Sequence, residues 1–342
     1  MVFLRNFLIF TLLTALLGCS GRDQTPEGNA AYYWRSTFAL SDVEKNFLKD
    51  NDIKVLYVKF YDVVAENQRL RPEATLLFKD RFPADMEIVP TVFIDSKAFD
   101  KAEMPMDFAD MLVARVDSMM SKNGYAISKE IQLDFDWTTS NREKYFTLLK
   151  EIRHILNEQD RRLSTTVRLH QLRQPAPPAD YGALMVYNTG SFSSPKEQNS
   201  ILNTGSVMPY IDNLKGYRLP LVAAFPIYSW NLIFHDNKFM VIARDVEYKD
   251  TTLFEKNGSN TYRALRYMPV PHSSSGAQQG ARILPGDILR HEWVPYSVID
   301  SVESMIGEAR PEILKRVIIY HVDENSIKSY NKDELKKIYN RR

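Results

Sequence analysis

Two carboxylates stand one residue apart in the run Ile131-Gln132-Leu133-Asp134-Phe135-Asp136-Trp137. Apolar and polar residues alternate through it, which marks a strand with Ile131, Leu133, Phe135 and Trp137 on one face and Gln132, Asp134 and Asp136 on the other. Two aspartates so placed have Cα atoms about 6.6 Å apart. Carboxyls that close, in a partly dry site, push each other's proton affinities apart, which suits acid–base work. The same pair would also serve as half of a buried ionic network, completed by Arg35, Lys59 or Arg168. A second group is aromatic. Tyr187, Tyr228 and Trp230 fall at the ends of two further strand candidates. Flat aromatic faces stack on sugar rings; packing against helices would explain each of the three singly.

Other chemistries find less support. None of the six histidines, His154, His170, His235, His272, His291 and His321, has a partner at metal-ligand spacing, so no metal is expected. His154 reads as a helix-surface residue, and His321 as one able to reach a site at the end of its strand. No serine-centred nucleophile elbow is present. No cofactor is expected either, and the absence of a glycine-rich phosphate loop after the first strand favours a barrel over an open doubly wound sheet. The 44 basic and 43 acidic residues are well mixed, without the basic stripe of a nucleic-acid binder. The apolar share of 44% is enough for a substantial core.

The elements that would position these residues alternate. Strand candidates are Tyr32–Leu40, Val55–Val63, Glu87–Asp95, Ile131–Trp137, Leu163–Leu169, Ala183–Asn188, Leu221–Trp230 and Arg316–Val322. Pro90 weakens the third. Helices are expected over Asp107–Ser121, Arg142–Glu158 and Asp333–Tyr339, and Ser41 with Glu44 forms a capping box for another. Eight strands alternating with helices predict a (β/α)8 TIM barrel, with an open doubly wound sheet as the runner-up. In a barrel the apolar face of the fourth strand meets the helices, so Asp134 and Asp136 face the interior near the C-terminal mouth. Residues 232–293 are too long for a plain connection. A hairpin signal at His235-Asp236-Asn237-Lys238 makes them a β-rich insertion after strand seven.

The N-terminus carries one basic residue, Arg5, and then the apolar run from Phe7 to Leu17. That run has the length of a signal-peptide core and is short of the about 20 residues of a membrane-spanning helix. It ends in Leu16-Leu17-Gly18-Cys19, which resembles the bacterial lipobox; Cys19 is the only cysteine of the 342 residues. The resemblance implies cleavage after Gly18 and a lipid on Cys19. Residues 1–18 are then a signal peptide, 19–30 a polar tether, and 31–342 the barrel. The expected location is the cell envelope, most simply the outer membrane, on its periplasmic or surface face.

Leu133-Asp134-Phe135-Asp136-Trp137 resembles the fourth-strand signature of family 18 glycoside hydrolases, the chitinase barrels. Their pattern is Asp, two residues, Asp, one residue, Asp, one residue and the catalytic Glu. Asp134 and Asp136 match its second and third Asp; Ile131 stands at the first, and Thr138 at the Glu. Met185-Val186-Tyr187-Asn188 resembles the family's Met-x-Tyr-Asp on strand six, whose Tyr helps hold the substrate acetamido group. Ile319-Tyr320 falls where strand eight often carries an aromatic-Trp pair beneath the sugar. The chain also resembles a group of bacterial lipoproteins through Tyr33-Trp34-Arg35, Phe60-Tyr61-Asp62, and Gln132 to Asp136 followed by Arg142 and Tyr145. That resemblance implies a glycosidase-like barrel and no particular reaction.

Together these readings assign Asp134, Asp136 and Tyr187 to catalysis, and Arg35, Lys59, Tyr228, Trp230 and His321 to a glycan or oligosaccharide. Thr138 cannot protonate a leaving oxygen. Asp136, Glu292 or Glu324 is left as the acid, or else the barrel binds without cutting. A purely structural envelope lipoprotein is the third reading; oligomeric state is not legible. The N-terminal reading is checked by Cys19→Ala, which should abolish incorporation of radiolabelled fatty acid and leave the precursor uncut. Equal label in variant and parent would refute it.

Overall fold

A computed structural model describes residues 25–340 apart from 245, 271 and 274–280. Cys19 and the signal-peptide segment lie outside the described residues. Eight parallel strands close a barrel: β1 (Asn29–Tyr33), β2 (Ile53–Glu66), β3 (Glu87–Ile94), β4 (Glu130–Asp134), β5 (Arg162–Arg168), β6 (Tyr181–Met185), β7 (Leu221–Pro226) and β8 (Val317–Tyr320). Closure comes from β1, which pairs with β8 on one side (Ala30 opposite Ile318) and with β2 on the other (Ala31 opposite Leu56). The chain is thus a (β/α)8 TIM barrel. The open doubly wound sheet is excluded, since an open sheet leaves two unpaired edges.

The helices form where the sequence is amphipathic and capped. The helix α1 (Asp42–Asp50) begins in the expected capping box, with Ser41 accepting from the Glu44 amide and Glu44 accepting from the Ser41 amide. The helices α2 (Phe108–Lys122) and α3 (Arg142–Asn157) cover the outer face of the barrel near β4. α3 buries Tyr145, Leu148, Leu149 and Ile152, while His154 on its far side keeps 76% of its side chain exposed. The helix α4 (Tyr296–Ala309) leads into β8, and α5 (Lys332–Tyr339) closes the chain.

Several strand boundaries differ from the sequence reading: β6 ends at Met185, so Tyr187 and Asn188 follow it, and β8 ends at Tyr320, so His321 lies beyond it. β1 starts at Asn29, within the segment read as tether, and ends at Tyr33; Thr37 and Phe38 form a separate two-residue strand with Leu77 and Phe78. β4 ends at Asp134, so Asp136 and Trp137 lie on the loop that follows. β7 ends at Pro226, and Trp230 opens a strand of a second, antiparallel sheet. That sheet runs Phe254–Lys256, Thr261–Ala264, Ile288–Glu292, Trp230–His235, Lys238–Arg244 and His272–Ser273. Its hairpin turns on Asp236 and Asn237, both at positive φ, as a tight two-residue turn requires. Ile233, Val241, Phe254 and Leu289 give it an apolar core of its own.

The barrel interior is polar in layers. At the lower end the Glu130 carboxylate accepts from Tyr181 and Ser164, and Tyr181 bonds to Tyr57, which accepts from Arg316. Above it, Gln132 accepts from Tyr32 (2.7 Å) and Thr91 and donates to Ser164. The outward residues Ile131, Leu133, Phe135 and Trp137 are fully buried against the helices. Strand parity therefore falls as the alternation predicts. Packing outside the barrel is tight at Gly182 on β6, where an added Cβ would stand 2.8 Å from Val167 Cγ2 and 3.0 Å from Leu219 and Leu221. Val167 is stiff and cannot turn away. Gly182→Ala should cost about 1–3 kcal/mol, read as a lower denaturant midpoint at unchanged slope; an unchanged midpoint would show the contact to be slack.

Candidate active site at the barrel mouth

Asp134 is the last interior residue of β4 and is 5% exposed. Its Oδ1 accepts from Thr166 Oγ1 (2.7 Å) and from Arg168 Nη2 (2.9 Å), both on β5. Burial opposes the Arg168 charge, but Asp134, then Tyr187 and Asp136, outweigh it and raise the guanidinium's pKa. Among the described residues Arg168 Nη1 has no hydrogen-bond partner. Asp136, two residues on, keeps 52% of its side chain exposed. Its Oδ1 has only distant neighbours, Gln171 Nε2 at 3.4 Å and His170 Nε2 at 3.6 Å. The two carboxylates therefore differ in kind: one is engaged by two donors in the wall, the other is open at the rim.

Aromatic rings surround the mouth. Tyr187 and Tyr320 stack at 4.8 Å, and Tyr228 lies edge-on to both at 6.1 and 5.7 Å. Trp230 continues from Tyr228 at 5.5 Å, and Trp34 packs on Tyr320 at 5.9 Å. Burial, then the neighbouring Tyr320, raises the Tyr187 phenol well above its ordinary pKa, so it remains a proton donor. Its hydroxyl donates to Met185 Sδ at 3.0 Å, and a thioether is a weak acceptor. Tyr228 is better satisfied, donating to Asn188 Oδ1 at 2.6 Å. His321 follows Tyr320, half-buried, its ring 5.1 Å from that of Tyr320.

Of the cations weighed as partners for the aspartates, only Arg168 makes the pair. Arg35 binds both oxygens of Glu44 at 2.9 Å, and Lys59 binds Asp62 at 3.0 Å. Both nevertheless line a cleft of about 680 Å3 at the mouth, beside Trp34 and Tyr320. Lys79, which the sequence did not single out, lines it too. Neither alternative acid is free. Glu292 is 1% exposed; its Oε2 accepts from Ser200 (amide and hydroxyl) and from Trp230 Nε1 at 2.8 Å, while Oε1 lies 2.7 Å from Arg290. Glu324 accepts from Lys328, which together with Ser41 lowers its pKa. Thr138 is exposed and paired with Ser140. Among the described residues no group of His, Cys, Asp or Glu is placed to hold a metal ion. Trp34 and Tyr320 carried a signal, as aromatics within the motifs Tyr33-Trp34-Arg35 and Ile319-Tyr320; the Glu292 hub carried none, because its partners come from distant segments.

No protein-family model matches the chain, and no curated protein matches it. Solved structures do. The family 18 chitinase ChiB from the chitin utilization locus of Flavobacterium johnsoniae superposes with a TM-score of 0.55 at 10% identity, over 92% of this chain and 94% of that one. A chitinase from Chromobacterium violaceum gives 0.51 at 13% identity, over 93% and 100%. The spore cortex-lytic enzyme SleL of Bacillus megaterium gives 0.51 at 11%, over 90% and 74%. At these identities the likeness shows the fold alone, a TIM barrel similar to those of the chitinases and SleL.

The contrast between the aspartates has a measurable consequence. Breaking a buried ion pair costs about 3–5 kcal/mol, and somewhat less here since Arg168 is partly exposed, so Asp134→Asn should be clearly destabilising. Asp136→Asn should stay within about 0.5 kcal/mol of the parent. Urea denaturation of the two variants checks this, and equal losses would contradict the geometry.

Proposed function

We propose that this protein is a lipid-anchored, glycoside-hydrolase-like barrel that acts on a glycan at the C-terminal face of its strands. The observation that carries the reading is an open carboxyl, Asp136, on the rim of a barrel mouth faced by Trp34, Tyr187, Tyr228, Trp230 and Tyr320. The partly exposed rings of Trp34, Trp230 and Tyr320 supply flat apolar surface for sugar faces, and the buried Tyr187 and Tyr228 back them. Tyr187 offers a hydroxyl held only by sulfur, ready to exchange it for an oxygen of the sugar. Asp136 transfers the proton to the leaving oxygen, the task for which Thr138 is unsuited. Asp134, tied to Thr166 and Arg168, holds the loop end of β4 and its charge balance. The lipid on Cys19 keeps the barrel at the cell envelope, where glycans are at hand.

One observation favours recognition without cleavage. Glycoside hydrolysis commonly uses two carboxyl groups about 5 to 9.5 Å apart. Here the other three candidates, Asp134, Glu292 and Glu324, are each bound to a cation, which leaves Asp136 as the one candidate carboxyl without an Arg or Lys partner among the described residues. Release of reducing sugar from a panel of glycans separates the two readings. In a hydrolase, Asp136→Asn should lower turnover by a factor of about 10² to 10⁴ with the melting temperature unchanged, and Thr138→Ala should matter little. In a binder the parent releases nothing and the variant binds glycan more weakly. Normal turnover and normal binding in Asp136→Asn would remove this residue from the site.

A further inference from the structure

The cleft at the mouth has a one-sided charge. It is lined by Trp34 and Tyr320, by the loop from Ser36 to Ala39, and by Arg35, Lys59 and Lys79; no acidic side chain lines it. Two of the three cations are held from behind. Glu44, 1% exposed, grips Arg35, whose guanidinium also lies 4.5 Å over the Tyr33 ring. Asp62, itself largely covered, grips Lys59, which keeps 15% of its side chain exposed. These pairs fix where the cationic groups stand. Lys79 differs: it is exposed, and among the described residues its ammonium has no carboxylate partner. The cleft belongs to the β1, β2 and β8 side of the barrel, across the mouth from Asp136, which follows β4. An anion seated there is spared the rim carboxylate.

Resting on the glycan reading above, we propose that this cleft takes a sugar unit bearing an anionic substituent, probed below with a carboxylate, with Lys79 as its principal counter-charge and Arg35 and Lys59 flanking it. Trp34 and Tyr320 receive the ring of that unit, and the substituent points to the lip. A neutral chain fits the same rings and gains nothing from the lysine. Selectivity is thus electrostatic and modest, because Lys79 stands in solvent.

The test compares two tetrasaccharides of the same backbone on the full-length protein by calorimetry. One is tetra-N-acetylglucosamine; the other alternates N-acetylglucosamine with N-acetylmuramic acid, which adds lactyl carboxylates. The acidic chain should bind about three- to tenfold tighter at low salt, and the preference should shrink towards unity in about 0.5 M salt. Lys79→Gln should remove most of the preference and leave the neutral affinity unchanged; the side chain is exposed, and an unchanged melting temperature checks that the fold is kept. Equal affinities for the two chains, or a preference that survives both Lys79→Gln and high salt, would overturn the proposal while leaving the glycan reading intact. Binding of neither chain would overturn both.

Discussion

The structure turns on one constraint: the inward side of β4 carries Glu130, Gln132 and Asp134, and a closed barrel leaves them nowhere to meet bulk water. A buried polar group without a partner costs about 1–3 kcal/mol, and a buried charge more. Each is answered by its neighbours. Glu130 has Tyr181, Ser164 and Arg162; Gln132 has Tyr32, Thr91 and Ser164; Asp134 has Thr166 and Arg168. These partners come from β1, β3, β5 and β6, so the ladder fixes the register of strands on several sides of the barrel. An apolar interior would tolerate small slips that this one does not.

The ladder also determines what remains at the top. Asp134 has its donors, and the next inward position, Asp136, lies beyond the last ladder pair, where the nearest donor to its carboxylate among the described residues is Gln171 at 3.4 Å. The same step outward brings the aromatic ring of the mouth. A second buried hub braces the opposite wall. Glu292 joins Arg290, Ser200 and Trp230, which ties the antiparallel sheet to the loop after β6 and fixes the indole that borders Tyr228. The carboxylate that looked from its position like an acid delivered from above is a brace. Function, on this account, falls to the groups the framework does not consume: Asp136, the Tyr187 hydroxyl and the partly exposed rings of Trp34, Trp230 and Tyr320.

Much of this was legible in the sequence because period-two alternation is a strong signal when one face must be apolar. Ile131, Leu133, Phe135 and Trp137 gave the outward face of β4, and the inward residues followed. Glu130 escaped because the alternation was read as starting at Ile131, one residue inside the strand. The first strand was misplaced by three residues at its start: the small Asn29-Ala30-Ala31 gave no strand signal, while Trp34 to Leu40 looked aromatic enough to extend one. Trp230 was assigned to the seventh strand because the apolar run from Leu221 passes unbroken through Pro226, where the chain leaves the barrel. Pairings between distant residues, such as Glu292 with Trp230 or Arg35 with Glu44, have no local signature. Of the three cations offered as alternatives beside the aspartates, Arg168 takes the place, and Arg35 and Lys59 pair with Glu44 and Asp62 instead.

The most direct measurement is a crystal structure of the protein soaked with an N-acetylglucosamine tetrasaccharide. The account predicts sugar rings against Trp34 and Tyr320, an oxygen of the sugar within hydrogen-bond distance of the Tyr187 hydroxyl, and Asp136 beside a bridging oxygen. A tetrasaccharide seated on another surface, with the barrel mouth empty of sugar, would contradict it.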